Sequence, residues 1–215
     1  MTGDIAFVAA AGASAPSGNT SLVIATPTGV VAGDFLLAGV AVRPSSVTIT
    51  PPTGWTLLRR SDSSGGASNS LAIYTRVATA SEPTNHTFTF SGSTGSAGGI
   101  TAFRGVHATT PIDVESAQST ASGLNHATPS VDTTVTETMV VTFHGMSSCA
   151  SWTPPTGQTE SIDVASAPPP AATGICFTAT HALQAAAGAT GNKTATASND
   201  ADTGNAAIVA LREAQ

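Results

Sequence analysis

Five histidines (His86, His107, His126, His144 and His181), thirteen carboxylates and two cysteines (Cys149 and Cys176) are the residues through which this chain could do chemistry. Their spacing does not assemble a familiar centre. No two histidines sit at i, i+4 with an acid between them, no His-x-His pair lies along a strand, and no Cys-x-x-Cys occurs, so no zinc-ligand pattern is present. A hydrolase nucleophile elbow needs Gly-x-Ser-x-Gly; the chain has Gly92-Ser93-Thr94-Gly95-Ser96 instead. Glycoside hydrolysis needs two acids converging across a cleft. The close pairs here, Asp113/Glu115 and Asp200/Asp202, are i, i+2 neighbours that read as an exposed edge face and a loop. Asp200 to Asn205 has the oxygen-rich character of a calcium loop but lacks the distal bidentate glutamate. A cleft joining two of Asp113, Glu115, Glu160 and Asp163 beside a histidine would be needed for an enzyme. The expectation is therefore no enzyme, with no catalytic, cofactor-binding or metal residue assigned. His86 and His144 lie among threonines and read as outward, solvated strand residues.

Binding chemistry has three candidates. Trp55, Tyr74 and Trp152 are the large amphipathic aromatics, and an exposed ring beside polar groups could stack on a sugar. Packing beneath the Pro-Pro-Thr-Gly turns that the two tryptophans flank is the competing role. The cysteines could be paired or reduced core thiols.

The elements that must position these residues are short strands. Phe35 to Val42 is apolar on both parities and reads as a central strand covered on both faces. His86-Thr87-Phe88-Thr89-Phe90 alternates, with its aromatics inward. Ser61–Asn69 and Gly92–Gly99 read as Gly/Ser-rich loops, and Ala165–Thr173, with its triple proline, as an extended one. Ala182–Ala189 allows at most one helical turn. The segment up to Asn19 is a candidate docking arm.

The same phrases recur about 103 positions apart. Pro51-Pro52-Thr53-Gly54 returns as Pro154-Pro155-Thr156-Gly157, Ala72-Ile73-Tyr74-Thr75 as Ile175-Cys176-Phe177-Thr178, and Ile100 to Arg104 as Ile208 to Arg212. The copies keep turns and strand faces and drop reactive groups. Phe88 and Phe90 become Ala195 and Ala197, so the second half has the poorer apolar face and needs the first for burial. Two tandem sandwiches or one sandwich would fit. The reading favours a single all-β domain over residues 1–215: a jelly-roll-like antiparallel β-sandwich of two pseudo-repeated halves, about 1–108 and 109–215.

Charged residues are only 9% of the chain and the net charge is −6, with Lys193 the single lysine. That disfavours nucleic acid, which needs a basic face, and anionic membranes alike. No apolar stretch is long enough to span a bilayer, and Met1-Thr2-Gly3-Asp4 lacks the basic start of a signal peptide. Threonine, serine and glycine must supply the polar surface, which suits flat contacts between proteins.

Asp34-Phe35-Leu36-Leu37-Ala38, Pro51 to Arg60, Tyr74 to Ala78, Gly99 to Val106 and Pro111-Ile112-Asp113 together resemble a loosely defined group of β-sandwich proteins of bacteriophage particles and bacterial surface or secreted proteins. The resemblance covers nearly the whole chain, and its motifs belong to the scaffold. It implies a virion component assembled in the host cytoplasm: a capsid decoration (cement) protein or a head or tail accessory subunit, in contact with other virion proteins and with copies of itself, and without cofactor. The alternative is a carbohydrate-binding or adhesive surface module using Trp55, Tyr74 and Trp152.

Overall fold

The computed structural model describes residues 4–214. Among them there are sixteen strands and no helix: β1 (Ala6–Ala25), β2 (Phe35–Arg43), β3 (Ile49–Thr50), β4 (Thr56–Asp62), β5 (Ser70–Val77), β6 (Asn85–Arg104), β7 (Ile112–Gly123), β8 (Asn125–Ala127), β9 (Asp132–Thr133), β10 (Thr138–Met146), β11 (Trp152–Thr153), β12 (Thr159–Ala165), β13 (Cys176–Gln184), β14 (Gly188–Ala189), β15 (Thr194–Ala197) and β16 (Asp202–Leu211). Every pairing between them is antiparallel. One large sheet runs β1-β6-β2-β5-β4, with β3 added to β6; the other runs β12-β13-β10-β16-β7. Two small sheets, β11-β15-β8 and β14-β9, complete the fold.

The two large sheets pack face to face. Phe35, Leu37, Ile73 and Phe103 of the first share one buried cluster with Val141, Phe143, Phe177 and Val209 of the second. The opposite face of the first sheet is also apolar. Leu36, Val40, Tyr74 and Ile100 pack there against Trp55, Phe88 and Phe90. This is why β2 is hydrophobic on both parities, as its sequence requires. The opposite face of the second sheet carries smaller clusters, Met146 with Trp152, Cys176, Ala195 and Ala197, and Val140 with Val131 and Ile208.

Several elements differ from what the sequence suggests. Gly92–Gly99 is part of the 20-residue strand β6 rather than a loop. Its glycines serve close approach: a Cβ on Gly98 would collide with the Gly39 carbonyl oxygen, and one on Gly99 with Ile162 of the facing sheet. Ala182–Ala189 is not helical, because Ala182, Leu183 and Gln184 continue β13 opposite Val140, Met139 and Thr138. Tertiary pairing outweighs the helix propensity of alanine there. Of the segment up to Asn19, Ala6 onward is strand β1, paired with β6, and Met1, Thr2 and Gly3 lie outside the described residues. Ser61 and Asp62 end β4, and the loop that follows is tied toward the second sheet through Ala67 and the buried Asn69, while Ser64, Gly65 and Gly66 at its tip are exposed.

Candidate functional site

Trp55, Tyr74 and Trp152, the three aromatics considered for sugar contact, are core side chains, 6%, 2% and 6% exposed. Trp55 and Tyr74 both pack on Phe88, and Trp152 lies between His126 and His144. No ring face is open to a sugar in this arrangement. Burial pushes the Tyr74 hydroxyl up to about 12.

His86 and His144 point inward, against the outward orientation their threonine neighbours suggest. Their parity faces the layer packed on the far side of each sheet. The Trp55 indole N–H donates to His86 Nδ1 at 3.0 Å. That acceptor role puts the His86 proton on Nε2, which faces Thr26 Oγ1 at 3.2 Å and Glu82 at 3.4 Å. A general base would need a free lone pair toward Thr26, so this constellation does not activate the hydroxyl. Glu82 is instead clamped by Arg76, 2.6 Å from its Nε, and both are nearly buried. Burial pushes the Glu82 carboxyl up, but hydrogen bonds from Arg76 and Thr79 more than offset this and hold it below its ordinary range.

His144 is fully enclosed; burial lowers its pKa to about 4, so it is neutral. His126 is buried too, and burial lowers its pKa. Its Nδ1 lies 2.5 Å from Thr120 Oγ1. His181 Nδ1 meets Ser161 Oγ at 2.7 Å, and its ring stacks on Phe7. This Ser–His pair has no acid to orient the ring, so it lacks the third member of a hydrolytic triad.

The carboxylates do not converge. Asp113 and Glu115 lie on β7 and Glu160 and Asp163 on β12, opposite edges of one sheet with three strands between them. At about 4.8 Å per strand the two sets are roughly 19 Å apart. The Asp113 side chain is fully buried against Arg212, with Thr134 donating to it. Burial raises its pKa, and those partners override this to leave it low. Glu115 pairs with Arg59 across the sandwich. Glu160 and Asp163 are raised by burial. Asp202 opens β16, and no group of three or more His, Cys, Asp or Glu is placed around a common metal position among the described residues. Cys149 and Cys176 are both free and buried, and burial pushes the Cys176 thiol up to about 12.

The polar cluster the sequence reading missed joins the sheets. The Asn69 amide nitrogen lies 2.8 Å from Ser147 Oγ and 3.0 Å from the Thr203 carbonyl, and Asn205 donates to Asn69 Oδ1 at 2.7 Å. Ser61 donates to Asn205 Oδ1, and Ser147 to the Ala67 carbonyl. Both asparagines are fully buried. An asparagine directly ahead of the apolar run Ala206–Leu211 in β16 was the available signal. One depression, about 500 Å³, is open and lined by Ser14, Ser151, Asp163, Ser166 and Pro168 among others. It brings a single carboxylate together with hydroxyls and prolines, a poor basis for catalysis. No family model, no curated protein and no solved structure matches this chain.

Proposed function

We propose that this protein is a non-enzymatic structural subunit of a bacteriophage particle, a capsid decoration (cement) protein or a head or tail accessory subunit. It acts on the virion surface through contacts with other virion proteins and with copies of itself. The observation that carries the non-enzymatic part is where the reactive side chains go. Asp34–Arg104, Arg76–Glu82–His86–Trp55, Asp113–Arg212 and Arg59–Glu115 tie strands, turns and sheets together. The virion assignment rests on the resemblance of the Asp34, Pro51, Tyr74, Gly99 and Pro111 segments to a loosely defined group of β-sandwich proteins of bacteriophage particles and bacterial surface or secreted proteins.

The fold that goes with this function is one jelly-roll-like domain over residues 1–215, made of two pseudo-repeated halves. In its support, β1-β6-β2-β5-β4 and β7-β16-β10-β13-β12 have the same order when each is counted along its own half. Arg104, the last residue of β6, and Arg212, the residue after β16, stand at corresponding strand ends, and each pairs with a buried aspartate. The central cluster draws on both halves. Mass spectrometry of purified source particles, with cryo-EM to place the density, tests the function. The expected result is a fixed copy number per particle; absence from purified particles overturns it.

A further inference from the structure

The two large sheets have four lateral edges, β1 and β4 in one and β12 and β7 in the other. An open edge offers a row of unpaired N–H and C=O groups to any other strand, and proteins guard such edges with charges, prolines, bulges or short length. Three of these edges are guarded. β4 carries Arg59, Arg60 and Asp62, β7 carries Asp113 and Glu115, and β12 carries Glu160 and Asp163. β4 and β12 are also short and bulged.

β1 is different. It is 20 residues long, and no charged residue occurs anywhere between Asp4 and Asp34. Apart from its ladder to β6, the one hydrogen bond to a β1 main-chain group among the described residues is from Asn19 to the Pro16 carbonyl. Its bulges and Pro16 fall outside Ala9–Ala15, which pairs with Ala102 to Ser96 without a register shift. Those seven residues are all alanine, glycine or serine, exposed or half-buried.

We infer that the Ala9–Ala15 edge is an assembly site that takes the same edge of a second copy, antiparallel about a two-fold axis. This rests on the self-association in the proposed function and names its surface. Charge selects the occupant. The chain has thirteen acidic against seven basic residues, so two copies repel across most surfaces, and β1 is the large-sheet edge strand with no charged residue of its own, Asp163 of β12 bordering it where both line the open depression at Ser14. A two-fold pairing sets each residue against another small one, so the backbones can approach to ladder distance without a clash. The product is a continuous sheet running through both copies, a main-chain mode of recognition.

The test is sedimentation velocity on the intact chain from about 1 to 100 µM, with hydrogen exchange at both ends of the range. Expected is a species of twice the 21.1 kDa chain mass, with concentration-dependent amide protection confined to β1. Ser14→Asp adds a carboxylate from each copy near the contact, beside Asp163, and is expected to weaken association about tenfold or more. Ser119→Asp, on the guarded edge β7, is expected to leave it unchanged. A chain that stays monomeric, a dimer indifferent to Ser14→Asp, or protection that appears on another edge each overturns the inference. If Ser14→Asp fails to fold by circular dichroism, the exchange pattern of the unmodified chain decides. Presence of the protein in particles is measured separately, so the edge can fail while the virion reading stands.

Discussion

At the scale of single residues, polar side chains in this protein act as fasteners. Trp55, His86, Glu82 and Arg76 form one chain of donors and acceptors that fixes the Pro51–Gly54 turn to β5 and β6, since Arg76 also donates to the Thr53 carbonyl. Trp55→Phe keeps most of the ring volume but leaves His86 Nδ1 as a buried acceptor without a donor. The expected loss is about 1–3 kcal/mol, read as a shift in denaturant midpoint without a change in slope. Asp34→Asn removes a 2%-exposed carboxylate that accepts from Val31 N–H and, on both of its oxygens, from Arg104 Nε and Nη2. It is expected to cost about 1–3 kcal/mol in the same assay, and a change within error would mean the pair is dispensable. The sequence identified these residues by type but not by role. A histidine beside threonines reads as solvated until the layer that covers it is known.

At the scale of elements, glycine sets how closely the sheets meet. A Cβ on Gly39 of β2 would lie 2.6 Å from Phe177 and 2.9 Å from Phe143, both fully buried rings of the facing sheet. Gly39→Ala therefore overpacks a site with no slack and is expected to destabilise by about 1–3 kcal/mol, whereas Gly66→Ala, with nothing within 4 Å, is expected to be near neutral. Equal midpoints for the two variants would show that the core can yield. The strands and turns of both halves were legible because alternation and Pro-Pro-Thr-Gly punctuation are local signals. The strand identity of Gly92–Gly99 and Ala182–Gln184 was not, because partners far away in sequence impose it.

At the scale of the whole molecule, the central core belongs to neither half alone. Residues 1–108 expressed by themselves would expose one face of a six-stranded sheet, and are expected to show no cooperative unfolding transition; a sharp transition would establish an independent domain. Acid is the second global probe. Burial lowers the pKa of His86, His126, His144 and His181 in the folded state. Between the ordinary histidine value of about 6.5 and the folded one, the unfolded chain binds protons that the folded chain does not, so stability falls as pH falls. For His144, lowered to about 4, the loss is on the order of 2 kcal/mol by pH 5, or roughly 4–8 °C in Tm. Glu160 and Asp163, raised by burial, act in the opposite direction, just above the ordinary carboxylate range of about 4. A Tm that does not fall between pH 7 and 5.5 would contradict the buried neutral histidines. Sequence by itself determined the all-β character, the central position of β2, the turns and the scarcity of charge, since each follows from composition or from contacts a few residues apart. Only the tertiary structure decided that the histidines and aromatics are core, that Asn69 and Asn205 bridge the sheets, and that β1 is the uncharged large-sheet edge. Those depend on which strands become neighbours, and strand pairing is non-local.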